Sequence, residues 1–244
     1  MSSSTFVLIS GGWHSSACWE RVIPLLKAQG HCVIAPELFG IGTDQTSLSQ
    51  IKLKTWIDQI VDLIEVQSKP VVLVGHSRAE IIISEVAQRI PDKIQLLVYL
   101  SAYLLTLGQT ISDTTKNRKQ TVATTIHLNG TISLKPDSII PIFYNTTSAE
   151  WAQRALTLLS SAEPVVVYRT PVEITDDRFG RVPRAYIECL QDKAIPLDQQ
   201  REMQRQLPCK YVLILDTDHS PFFSAPSQLV TILIDLANRE SNAL

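Results

Sequence analysis

Apolar residues follow two alternating rhythms along this chain. Short runs rich in Val, Ile and Leu occur at 5–9, 32–35, 70–74, 94–100, 184–190 and 211–215. Between them apolar positions return every three or four residues, as at Leu53, Ile57, Ile60 and Ile64, at Ile82, Ile83, Val86, Ala87 and Ile90, and at Leu229, Ile232, Leu233 and Leu236. The first rhythm predicts strands, several of them apolar enough to be buried on both faces. The second predicts amphipathic helices. Strands alternating with helices make βαβ units, so the expected architecture is α/β, with a mostly parallel central sheet and helices on both faces.

The alternation breaks between about residues 106 and 170, where a polar stretch is followed by Pro136, Pro141 and a helix-like run around Trp151, Ala155 and Leu158. Ordinary connections take about four to six residues, so this segment is an insert with a structure of its own. The apolar content of 139–159 needs a surface to cover, which favours a small helical cap at the sheet's carboxyl edge over a disordered insertion. Thr147 followed by Glu150 has capping-box spacing and predicts a helix start there. The expected division is a core of 1–105 and 171–244 with a cap of 106–170.

With 244 residues, 45% apolar content and a net charge of -2, the chain can bury one sizeable core and offers no electrostatic footprint for nucleic acid or an anionic membrane. The short basic cluster at 116–119 reads as a solvated loop. No apolar run is long enough to span a bilayer, and residues 1–9 show neither a basic leader nor a cleavage site, so a cytoplasmic protein is expected. The four cysteines (Cys18, Cys32, Cys189, Cys209) lack any C-x-x-C pair, which favours buried reduced thiols over a metal or redox site. Asn129-Gly-Thr and Asn145-Thr-Thr match the glycosylation pattern and are read as chance.

One strand-to-helix junction carries the chemistry. Val74-Gly75-His76-Ser77-Arg78-Ala79 leads from an apolar strand into the helix of Ile82, Ile83 and Val86. A nucleophilic serine on such an elbow needs small residues two before and two after it, and Gly75 and Ala79 supply them. The same letters allow a bland alternative, since Ser77-x-x-Glu80 is also a capping box. Chain order decides between them: Asp192 follows the strand at 184–190 and His219 the strand at 211–215, giving the order Ser, acid, His. A serine has negligible alkoxide at neutral pH and needs an imidazole base, for which His219 is better placed than His14, His31, His76 or His127. Asp192 would fix the imidazole tautomer, ahead of Glu188, Asp216 and Asp218, the last two lying close enough to His219 to shape its loop. Backbone N–H groups of Arg78 and of Gly12, in Ser10-Gly-Gly-Trp-His, would stabilise an oxyanion.

With those residues in place, the sequence resembles the α/β-hydrolase superfamily, within it the small cofactor-free group of plant methylesterases, hydroxynitrile lyases and bacterial pyrethroid-hydrolase-like esterases. The resemblance runs through Phe6-Val-Leu-Ile-Ser-Gly-Gly-Trp-His, the segment 19–30 expected as a helix, Val33-Ile-Ala-Pro-Glu-Leu, Val72-Leu-Val-Gly-His-Ser, Leu97-Val-Tyr-Leu-Ser-Ala, Tyr186-Ile-Glu-Cys-Leu-Gln-Asp-Lys-Ala-Ile-Pro and Leu215-Asp-Thr-Asp-His-Ser-Pro-Phe. It implies a catalytic triad of Ser77, Asp192 and His219, amide donors at Gly12 and Arg78, no cofactor, no metal, and a small-molecule ester as substrate for a monomer or homodimer. Three departures stand out. Ser10 replaces a first-loop histidine. Glu80 replaces a glycine and brings a carboxylate near the serine, where a negative charge would oppose the oxyanion or raise the imidazole pKa. Gly11 and Ser220 stand where the lyases carry Thr and Lys, which favours hydrolysis. A carboxylic-ester hydrolase acting through an acyl-enzyme is therefore expected, with a cofactor-free lyase and a ligand-binding protein with weakened catalysis as the alternatives.

Overall fold

The computed structural model describes residues 3–116 and 122–241. Six strands form the central sheet: β1 (Thr5–Ile9), β2 (Cys32–Ile34), β3 (Val71–His76), β4 (Ile94–Leu100), β8 (Arg184–Cys189) and β9 (Tyr211–Leu215). Their spatial order is β2-β1-β3-β4-β8-β9, and every neighbouring pair is parallel. Parallel strands need crossovers, and α1 (Val22–Ala28), α2 (Leu53–Glu65), α3 (Glu80–Arg89) and α8 (Leu197–Gln206) lie in them, while α9 (Pro226–Ser241) follows the last strand and packs beside α1.

Period-two alternation within each strand distributes side chains between two cores. Val7, Ile9, Val71 and Leu73 face α2 and α3, meeting Ile57, Ile60, Ile64, Ile82 and Val86. Phe6, Leu8, Val72 and Val74 face the opposite layer, with Leu26, Leu229, Leu233 and Leu236. Strands that are apolar at every position are thereby explained. The edge strand β9 differs: Val212 and Ile214 remain exposed, while Tyr211 and Leu213 pack against the layer of Leu229 and Leu233.

The insert differs from an all-helical cap. It contains α4 (Ile111–Thr115), α5 (Pro136–Phe143), α6 (Ala149–Leu156) and α7 (Val165–Arg169), but also an antiparallel three-stranded sheet of β5 (Thr124–Ile126), β6 (Thr131–Leu134) and β7 (Glu163–Pro164). Its hairpin turns at Asn129-Gly130, with Gly130 at φ 78°, and β-branched residues fill the flanks, so the pair that matched a glycosylation pattern serves as turn chemistry. The helix expected at Thr147 starts one residue later: Ser148 accepts from the Trp151 N–H, because the Thr147 N–H and hydroxyl are both committed to Asp218. Residues 117–119 of the basic cluster lie outside the described residues, while Lys116 is an exposed partner of Asp113.

Other boundaries shift for local reasons. Strand β3 runs two residues past the expected end, since Gly75 pairs with Ile9 and His76 with Leu100 in the ladders of β1 and β4. The helix expected over 19–30 is shorter, a single turn at Ser16–Trp19 preceding α1. The cysteines are all free, but Cys32 is exposed and Cys209 half-buried, correcting the expectation that all four are buried. Among the described residues no helix is long and apolar enough to cross a membrane.

Candidate active site

Strand order reverses between β2 and β3 on either side of β1, a topological switch that opens a crevice at the strands' carboxyl ends. The loops after β1, β3, β4, β8 and β9 converge there. Ser77 follows β3 directly and opens a single 3-10 turn, Ser77–Ala79, before α3 begins. Its φ is 54°, in the left-handed region that a non-glycine residue enters only when its surroundings impose it. The Ser77 hydroxyl caps no helix. Close packing imposes the turn: a Cβ on Gly75 would lie 2.8 Å from Ile83 Cδ1, and one on Gly11 would lie 2.8 Å from Ser77 Cβ and 2.5 Å from His76 Nδ1.

The structure brings Ser77, His219 and Asp192 together. Ser77 Oγ is 3.0 Å from His219 Nε2, and His219 Nδ1 is 2.8 Å from Asp192 Oδ2. Asp192 Oδ1 accepts the backbone N–H groups of Ala194 and Ile195 at 2.7 and 2.9 Å, so the carboxylate is fixed by its own loop. Its Oδ2 also accepts from Ser101 Oγ. His219 is stacked on Phe143, at 5.3 Å between ring centroids. An ordered pair of hydrogen bonds to a carboxylate and a hydroxyl is what an imidazole needs to take a proton at Nε2 while keeping one at Nδ1.

The other carboxylates near the loop are occupied elsewhere. Asp218 Oδ2 accepts from the Thr146 N–H, the Thr147 N–H and the Thr147 hydroxyl, and its Oδ1 from the Ser220 N–H and the Ser224 hydroxyl. Asp216 accepts from Gln191. Glu188 binds Arg201 and Gln204. Of the remaining histidines, His76 bonds the His219 carbonyl through Nε2 at 2.8 Å. His14 bonds the Gly12 carbonyl through Nδ1 and meets the Tyr144 hydroxyl through Nε2. Burial pushes the His14 pKa down to about 3 and that of His76 well below its ordinary value, so both rings are neutral at pH 7. Each therefore donates its single N–H to a backbone carbonyl, His14 within the β1 loop and His76 from β3 to the β9 loop.

Glu80 does not bring an anion to the serine at neutral pH. It is fully buried, and desolvation raises its pKa to about 8. Its Oε1 accepts from the Leu105 N–H and the Ser84 hydroxyl, each at 3.2 Å, on the side of α3 that packs against β4. Ser10, another of the three departures, is buried with its hydroxyl unpartnered.

Gly12 and Arg78 line the same cavity as Ser77 and His219. This cavity measures about 300 Å³, and its walls mix apolar side chains such as Trp13, Ile132 and Phe143 with polar ones such as Ser112, Thr115 and Arg169. Beside it the Arg78 side chain forms a wholly buried ion pair with Glu163 at 2.9 Å, donates to the Gly11 carbonyl at 3.1 Å, and lies over the Trp56 ring.

Comparison with known proteins gives this geometry its relatives. The model of the Alpha/beta hydrolase family matches residues 6–232. The chain belongs to that family. Methylesterase 7 of Arabidopsis thaliana is 30% identical to it, with 96% of each chain covered. The pyrethroid hydrolase of Sphingobium wenxiniae is 29% identical over 98% of this chain and 89% of its own. Among solved structures, a pyrethroid hydrolase from Sphingobium faniae superposes with a TM-score of 0.84 at 26% identity, covering 97% of this chain and 98% of its own. Polyneuridine aldehyde esterase does so with a TM-score of 0.87 at 21% identity, covering 97% and 100%, a likeness of fold.

Within this α/β hydrolase, the residues singled out from sequence, Ser77, His219, Asp192, Gly12 and Arg78, all lie around one crevice. Sequence reasoning missed Ser101, Glu163 and Tyr168. Ser101 stands directly after β4 at φ 43°, and its place at the carboxyl edge of a central strand was the available signal. Glu163 was detectable only indirectly, since a charged Arg78 inside a buried elbow requires an acid partner that spacing cannot locate.

Proposed function

We propose that this protein hydrolyses small carboxylic esters through a serine acyl-enzyme, and that Ser77, His219 and Asp192 are its catalytic residues. The observation that carries the reading is the unbroken relay from Asp192 Oδ2 through His219 to Ser77 Oγ, with contacts of 2.8 and 3.0 Å, opening onto the cavity. In the first half-reaction His219 Nε2 takes the Ser77 proton as Oγ bonds the ester carbonyl carbon, and Asp192 stabilises the imidazolium. The carbonyl oxygen becomes an oxyanion facing the Gly12 and Arg78 N–H groups. Collapse expels the alcohol, which receives the proton from His219. In the second half-reaction His219 deprotonates water, which attacks the acyl-enzyme, and Ser77 recovers its proton as the carboxylic acid leaves.

The cavity favours a compact substrate, since about 300 Å³ is the lower end of ordinary ligand sites. The names of the methylesterase and pyrethroid-hydrolase relatives point to the same class of bond. The buried, neutral Glu80, bonded to Leu105 and Ser84, removes the motive for a binding protein with weakened catalysis. Gly11 and Ser220 continue to favour hydrolysis over lyase chemistry. A cytoplasmic setting for the enzyme is supported by four free thiols. Chromogenic short-chain esters are expected to be turned over by the wild type, with turnover lost in Ser77→Ala; retention of wild-type rates in that variant would refute the assignment.

A further inference from the structure

The loop that follows β1 is held largely by the insert. The Trp13 N–H donates to Glu163 Oε1 at 2.9 Å, the Trp13 indole N–H to the Ile132 carbonyl at 3.1 Å, and the Trp13 carbonyl accepts from the Ser160 N–H at 2.7 Å. Trp13 itself has φ 61°, a strained conformation for a bulky residue that must be imposed by its partners. Glu163 is the hub of that restraint. It is fully buried, accepts from Trp13, from Arg78 Nη2 and from the Tyr168 hydroxyl, and so joins the β1 loop, the nucleophile elbow and the insert. Arg78 closes the circuit by donating from the same Nη2 to the Gly11 carbonyl. A Cβ on Gly12 would lie 2.7 Å from the Tyr168 hydroxyl, so the glycine is needed to let this cluster approach.

We propose that Glu163, clamped by Arg78 and Tyr168, is the positioning residue of the oxyanion hole. By engaging the Trp13 N–H and, through Arg78, the Gly11 carbonyl, it fixes the peptide units on both sides of Gly12 and so aims the Gly12 N–H at the developing oxyanion. Donors held in place before the reaction stabilise charge without reorganising at the transition state. The ion pair also compensates the carboxylate's charge, which would otherwise face the oxyanion unopposed. The oxyanion hole thus depends on a residue contributed by the insert. The inference rests on the serine-esterase reading.

The test is steady-state kinetics of Glu163→Gln together with inhibition by a trifluoromethyl ketone, whose tetrahedral adduct requires the oxyanion hole, and by the corresponding unreactive alcohol, which does not. A neutral amide cannot serve all three donors, so kcat should fall about ten- to hundred-fold with KM within about twofold. Trifluoromethyl ketone affinity should fall in parallel while the alcohol binds as before. Because removing one member of a buried ion pair can prevent folding, the paired variant Arg78→Met with Glu163→Met is measured as well. Apolar replacement of both charges is compatible with a stable fold, yet it leaves the Trp13 N–H without its acceptor. Its Tm should hold and its kcat fall. A folded variant of either kind with wild-type kcat, or a loss confined to KM and shared by the alcohol, would overturn the proposal. A wild type inactive on esters would overturn the hydrolase reading and this proposal together, whereas an active wild type beside an equally active variant overturns this one alone.

Discussion

Ser77 and Ser101 both adopt positive φ at the carboxyl ends of adjacent strands, 54° and 43°, and each places its hydroxyl on the relay. Non-glycine residues held there cost on the order of 1–3 kcal/mol apiece, a cost offset by the packing of the elbow and of the β4 turn. The two serines have different tasks. Ser101 donates to Asp192 and so orients the acid, leaving the imidazole bond intact. Ser101→Ala should therefore lower kcat by roughly tenfold or less, whereas Asp192→Asn, which disturbs the tautomer of His219, should lower it by about 10³–10⁴, both read from steady-state rates at saturating ester. Asp192 and His219 were legible in the sequence because chain order and strand ends locate them. Ser101 was not, since a hydroxyl beside a carboxylate leaves no spacing signature.

At the scale of elements, α3 joins the Ser77 turn to the core and carries the buried Glu80 in its first turn. Unfolded, this carboxyl loses its proton near its ordinary value of 4.5, while in the folded protein burial holds the proton to about pH 8. Between those limits the folded state binds more protons, so stability is fully present below about 4.5 and declines as pH rises to about 8. Glu80→Gln mimics the neutral acid and should remove that slope. Thermal melts from pH 5 to 9 should show the variant gaining on wild type as pH rises, by up to a few kcal/mol; parallel curves would contradict the buried neutral carboxyl. The strands and long helices of the core were readable because two-sided burial leaves a continuous apolar run and amphipathic spacing a periodic one, as in Val71–His76 and Leu53–Glu65. The hairpin of β5 and β6 was not legible, although Asn129-Gly130 is its turn, because strands of three and four residues are too short to display a period-two alternation.

For the molecule as a whole, we propose that residues 106–170 act as one cap whose seating completes the site laid out on the core. Two buried carboxylates support this: Glu163 reaches down from the insert to the β1 loop, and Asp218 reaches up from the β9 loop to Thr146 and Thr147. Asp218→Ala would leave four donors without their acceptor next to His219, the Ser224 hydroxyl keeping the Ser220 carbonyl. It should destabilise the protein by about 2–4 kcal/mol in urea unfolding and reduce kcat as well. These contacts were invisible in the sequence for a physical reason. They join residues more than 70 positions apart through single side chains, as Asp218 does with Thr147, and such pairings follow from how the insert packs.

The central claim is that Ser77 is an activated nucleophile. A fluorophosphonate probe reacts with a serine only where a base and an oxyanion site assist it, so labelling followed by peptide mapping reads identity and competence at once. One equivalent of label should be found on the peptide carrying Ser77, and His219→Ala should abolish it. An unlabelled folded protein, or label on a serine other than Ser77, would contradict the account.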